Sequence, residues 1–185
     1  MPAVDESELG RFLADAAADD AARARSQERG LRQVAEEEAT FAGLALDLAE
    51  RGAGVIVRTA SGRPHRGRIE AVGRDFVVVR DGARPPVFVP LAAITVLRPE
   101  PSAAGNADFA GARPAPVDVS LAAALSRLAV ERPRVQLTSV GDPEPLAGEL
   151  RSVGADVATV QLDGEGRLVA HVRLAGLADV VVFDY

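Results

Sequence analysis

The sequence predicts an α+β, mainly β protein made of two five-stranded small barrels, each preceded by an α-helix. Three observations carry this. The stretch Gly67-x-Ile69-x-x-Val72-Gly73-x-Asp75 returns 81 residues later as Gly148-x-Leu150-x-x-Val153-Gly154-x-Asp156, each time followed by an apolar, β-branched run. The ends of the two units match as well: Val89-x-Leu91-x-x-Ile94-x-x-Leu97 lines up with Val172-x-Leu174-x-x-Leu177-x-x-Val180, now 83 residues apart. Around both motifs, short apolar runs alternate with Gly/Pro clusters, the pattern of short strands joined by tight turns.

Residues 5–18 read as a short helix with Asp5 and Glu8 as a capping box and Leu9, Phe12, Leu13 and Ala16 on one face. Residues 19–51 read as a longer helix. Leu31, Val34, Phe41, Ala45 and Leu48 form its stripe, Leu44 widens it, and Gly52 stops it as a C′ glycine. Together they make an N-terminal helical region, 1–52. The first barrel, 53–98, has expected strands at 55–59, 67–72, 75–80, 86–89 and 93–97, with turns at 61–64 and 81–85. Val77, Val78 and Val79 are consecutive, so both faces of the third strand should be covered.

Pro99, Pro101, Pro114 and Pro116 mark 99–117 as a linker. A second helix is expected over 118–132, capped by Asp118 or Ser120, striped by Leu121, Leu125 and Leu128, and ended by Pro133. It opens the last domain, 118–185, whose strands are expected at 135–139, 148–153, 156–162, 168–174 and 179–183, with turns at 141–145 and 163–166.

Composition narrows the function. The 185 residues carry a formal net charge of −6, and 48% hydrophobic with 26% charged residues is a globular balance. Without Cys there are no disulfides, thiolate nucleophiles or Cys metal sites. No apolar run reaches the roughly 18 residues of a membrane span, and the acidic N-terminus lacks a signal-peptide pattern; a cytoplasmic protein is expected. Charge is uneven. Residues 53–98 hold 8 Arg against 3 acids, net +5, whereas 133–185 hold 4 Arg against 8 acids, net −4.

Catalytic chemistry finds little to stand on. His65 and His171 occupy non-equivalent positions and neither has the carboxylate spacing of a metal site. Asp75 and Asp156 are equivalent, and the simplest role for each is a turn carboxylate accepting a backbone N–H beside Gly73 or Gly154. The 163–166 stretch is a hairpin turn and not a phosphate loop, because no helix with Lys-Ser/Thr follows. No enzyme, cofactor or metal is expected. The one feature above background is the basic first barrel, where Arg58, Arg63, His65, Arg66 and Arg74 are candidate nucleic-acid contacts. The competing reading pairs them with acids of the same chain. The lack of Trp and the single Tyr leave little surface for base stacking.

A helix followed by a bent five-stranded barrel, with Gly67-x-Ile69-x-x-Val72 and then Asp75-Phe76-Val77, resembles the Sm superfamily, the LSm and Hfq-type proteins, and more broadly the SH3-like small barrels. The whole chain also resembles an actinobacterial group of proteins sometimes labelled transcriptional regulators; the sequence contains no helix-turn-helix signature to match that label. The resemblance implies the barrel fold. It does not bring the family's RNA site with it: Val77 and Ala158 stand where an Asn would read a base, and neither fifth strand carries the Arg-Gly pair. Barrels of 46 and 52 residues are smaller than a self-sufficient core, so each should bury surface against a helix, its sister or another subunit. The expected function is a non-catalytic binding or scaffold protein acting through a protein partner or self-association. The alternative is an RNA- or DNA-binding regulator using the first barrel.

Overall fold

The structure is a computed structural model that describes residues 27, 39–101, 116–164 and 168–183. The chain divides into two units, 1–40 and 41–185. The expected helix at 5–18 lies outside the described residues. That at 19–51 is described over its end as α1 (Phe41–Glu50), and Ala39 and Thr40 before it are not helical. Gly52, at φ 60°, closes α1 as expected: Ala53 N–H donates to Leu48 O and Gly52 N–H to Ala49 O.

Strands dominate the second unit. β1 (Gly54–Thr59), β2 (Pro64–Val72), β3 (Phe76–Arg80), β4 (Val87–Pro90) and β5 (Ile94–Pro99) make a first half. α2 (Leu121–Leu128) then precedes β6 (Arg134–Ser139), β7 (Asp142–Val153), β8 (Val157–Leu162), β9 (Val169–Arg173) and β10 (Leu177–Val182). A short 3-10 turn precedes each half's last strand, at Leu91–Ala93 and Leu174–Gly176, which the sequence reading missed. The expected α+β, mainly β class is what the described residues show.

The two five-stranded halves are joined in one antiparallel ten-stranded sheet in the order β5-β1-β2-β3-β4-β10-β6-β7-β8-β9. Each half keeps the same internal order, and β4 joins them by pairing with β10, Phe88 opposite Val180 and Val87 opposite Val181. The repeat is visible bond by bond. Gly73 N–H donates to Phe76 O and Gly154 N–H to Val157 O; Leu91 N–H donates to Asp75 O and Leu174 N–H to Asp156 O. The same bulge interrupts β2 between Ile69 and Ala71 and β7 between Leu150 and Ser152, where a strand bends.

Ala45, Leu48 and Ala49 of α1 pack with Val55, Val57, Ile69, Val77, Val79 and Val89 into one core. Leu121, Leu125 and Ala129 pack with the inner face of the second half into another, which also takes in Phe76, Val78 and Phe88 of the first half. Both faces of β3 are therefore covered, as its three valines require. Ser120, not Asp118, caps α2, accepting from Ala123 N–H at 3.2 Å. The expected turn at 141–145 is shorter: Ser139 pairs with Asp142 around Val140-Gly141, and Gly141 takes φ 83°. Pro143 and Pro145 fall in β7, where the ladder to β6 shifts register and tolerates their missing N–H groups.

The motif glycines are explained by close approach. A Cβ on Gly67 would strike Arg80 O, and one on Gly148 would strike Gln161 O, the equivalent atom of the other half. Gly148→Ala is expected to destabilise the protein by about 1–3 kcal/mol, because strand backbone must move to admit the methyl group. A urea titration checks this; an unchanged midpoint would show that the strands are not held at this distance. No helix among the described residues is long and apolar enough to cross a membrane.

Candidate functional site

Polar side chains gather where the halves meet. The β1–β2 connection of the first half carries Arg63, and β2 carries His65; both reach the second half. Arg63 donates to Thr138 Oγ1 at 2.9 Å, and Thr138 passes the chain on by donating to Asp179 Oδ1 at 2.9 Å. His65 Nε2 lies 3.2 Å from Asp179 Oδ2, an ion-pair distance, with the ring off the hydrogen-bond line. Thr138 and Asp179 are fully buried. They face each other across the β6–β10 ladder, so the sheet sets their separation. A buried carboxylate is costly unless paired and bonded; Asp179 has Thr138 from the neighbouring strand of its own half and His65 brought to it across the junction.

This cluster includes two of the five candidate nucleic-acid contacts and turns both inward. Two more are paired with acids. Arg74 bonds Asp118 through Nε at 3.0 Å and Nη2 at 2.8 Å, and that hydrogen bond, then the carboxylate's charge, raises its pKa above the ordinary value. Arg66 stands 3.9 Å from Glu100. Arg58 is exposed and has no ion partner among the described residues. Outside the five, Arg80 pairs with Glu70 at 2.7 Å and Arg84 with Asp81 at 3.2 Å. Arg66, Arg74, Arg80 and Arg84 thus stand beside acids of the first half, the linker and the start of the last domain, while Arg63 and His65 reach Thr138 and Asp179.

The equivalent aspartates are separated in role. The Asp75 carboxylate does not serve its own turn, as the sequence reading had it. Its Oδ1 accepts from Leu121 N–H at 2.7 Å, at the start of α2, where the helix dipole favours a negative charge. Asp156 is exposed. His171 is exposed and 3.2 Å from Thr159 Oγ1. No group of three or more His, Asp or Glu residues among the described ones is arranged to hold a metal ion.

A groove of about 350 Å³ runs between α2 and the outer face of β2–β4. Phe76, Val78 and Phe88 form its floor, with the two rings stacked at 5.8 Å; the Glu70–Arg80 pair and Arg127 stand at its margin. None of His65, His171, Asp75 or Asp156 lines it. The sequence reading missed Thr138 and Asp179. Their signal was a polar residue within each of two strand segments, Thr138 in 134–139 and Asp179 in 177–182, where the other half has Arg58 and Val96. Comparison with protein-family models, with curated proteins and with solved structures returns no match to the chain.

Proposed function

We propose that the chain is a non-catalytic scaffold built from two Sm-like five-stranded barrels joined edge to edge, acting through protein–protein contacts. The observation that supports this most is the fate of the basic residues. Arg63 and His65, central to any polyanion patch on the first half, point into the junction, and Arg66 and Arg74 stand beside acids. Arg58 is exposed with no ion partner, and β5 and β9 end the sheet with no further strand beyond them, among the described residues. Unpaired strand edges favour pairing with another chain.

The RNA- or DNA-binding alternative rests on Arg58 and on the net +5 of 53–98. Fluorescence anisotropy with labelled single-stranded RNA and duplex DNA decides between them. The scaffold reading expects no binding at physiological salt. Binding that weakens steeply with salt and is lost in Arg58→Glu/Arg66→Glu would overturn it. With no Trp and one Tyr, the purified protein absorbs weakly at 280 nm, so nucleic acid carried through purification would show directly near 260 nm.

A further inference from the structure

The groove between α2 and the outer face of β2–β4 has an apolar end and a charged end, set by how the chain ties α2 to β3. The two elements start from one place. Leu121 N–H donates to Asp75 Oδ1 at 2.7 Å, and Arg74 N–H donates to Val119 O at 3.0 Å, just before Phe76 opens β3. Val119 and Phe76 therefore line the apolar end. Arg80 is the last residue of β3 and Arg127 lies in the last turn of α2; both line the groove, and Arg80 bonds Glu70 at 2.7 Å. We propose that this groove binds a free medium-chain carboxylic acid, with its alkyl chain over Phe76 and Phe88 and its carboxylate on Arg127. The site is separate from both ends of the sheet and does not depend on the scaffold reading.

Charge selects the head group. Glu70, Arg80 and Arg127 are the charged residues that line the groove. Glu70 and Arg80 answer each other, whereas Arg127 is exposed and has no ion partner among the described residues. The rim therefore carries one unanswered positive charge, which suits a single carboxylate and leaves a dianion half paired. A guanidinium holds a carboxylate through two parallel N–H donors. Asp118, before the start of α2, is already held by Arg74 at 2.8 Å.

Shape selects the tail. The volume of about 350 Å³ is at the small end of small-molecule sites, which run from about 300 to 1,000 Å³. The groove follows β3, and a strand rise of about 3.3 Å per residue puts Arg80 roughly 13 Å from Phe76. Ala71 on the sheet side and Ala124 on the helix side add little bulk, while the larger Leu121 and Leu125 of α2 are buried in the core and do not line the groove. A long, thin space over an apolar floor fits an extended alkyl chain.

The repeat shows that the fold itself does not demand such a floor. Val78 pairs with Phe88 as Thr159 pairs with His171, so Thr159 and His171 are the second half's counterparts of two floor residues. Gln161 stands at the counterpart of Arg80. The same strands thus carry a polar outer face in one half and an apolar one, closed by an arginine pair, in the other. A ligand in the groove touches β3 and β4 of the first half and the helix that opens the second, so its binding also braces the two halves.

The test titrates the full chain with octanoate and decanoate by isothermal titration calorimetry, with octanol as the uncharged analogue. Saturable binding of one acid per chain is expected, about tenfold tighter for decanoate than for octanoate because two more methylenes are buried. The Tm should rise with ligand concentration. Arg127→Glu should weaken octanoate binding at least about tenfold and leave the weaker binding of octanol unchanged. Ala124→Leu, which puts a larger side chain into the groove, should abolish binding with unchanged far-UV circular dichroism. No saturable binding, octanoate binding that ignores Arg127→Glu, or octanol bound as tightly as octanoate would each overturn the proposal. So would binding that appears only in Phe109→Ser, which gives the groove to the 102–115 stretch of this chain, or only on dilution of a dimer, which gives it to a second copy.

Discussion

Asp179→Ala is expected to destabilise the protein by about 3 kcal/mol, because removing one partner of a buried pair strands the others. That loss corresponds to roughly 6–12 °C in Tm for a chain of this size. The carboxylate is fully buried and anchors three residues: Thr138 at 2.9 Å, His65 at 3.2 Å, and Arg63 through Thr138. Without it, Thr138 keeps the Arg63 contact but has no acceptor for its proton, and His65 faces an apolar gap. The double variant His65→Leu/Asp179→Val replaces both members of the pair with apolar residues. Apolar replacement of both members of a buried pair is often close to neutral, so this variant should recover most of the loss. Thermal melts of wild type, single and double variants check both. A single variant that melts with wild type would mean that Asp179 does not hold the halves together.

Leu125→Ala is the second large effect, at about 2–5 kcal/mol. Leu125 is fully buried in the core that α2 shares with Phe76, Val78 and Phe88 of the first half and the inner face of the second. Truncation leaves a cavity that two sheet faces and a helix cannot easily close, because all three are tied by main-chain bonds elsewhere. Val130, 82% exposed two residues past the end of α2, supplies the control: Val130→Ala should stay within about 0.5 kcal/mol of wild type. Chemical denaturation of the two variants side by side gives the comparison. A Leu125 variant no weaker than the Val130 variant would place α2 outside the core.

The repeat was legible because its residues are fixed by backbone contacts. Gly67 and Gly148 stand where a side chain would hit the next strand, so that glycine recurs in both copies, and Gly73 stands where one would hit the Phe76 ring. Strand positions followed from turn chemistry and apolar runs, and the double coverage of β3 from its three valines. That the halves bury surface on one another was among the expectations set by their small size; which edges join was not legible. Val87 and Phe88 pair with Val180 and Val181 across about half the chain, and nothing local marks an edge as taken or free. The candidate site failed for a related reason. Arg63 and His65 look like surface cations in sequence; only the arrival of Thr138 and Asp179 from the other half turns them inward. Asp75 was read as a local turn residue because the helix N-terminus it serves begins 46 residues later.

Three side chains of the first half belong to the core of the second, and Asp75 completes the start of the second half's helix. A gene fragment encoding 118–185 alone would therefore produce a chain missing part of its own interior. The repeat is doubled in sequence, but the two copies share an interior. The closure of β4 on β10 pairs residues about half the chain apart, a long-range contact of the kind that raises contact order.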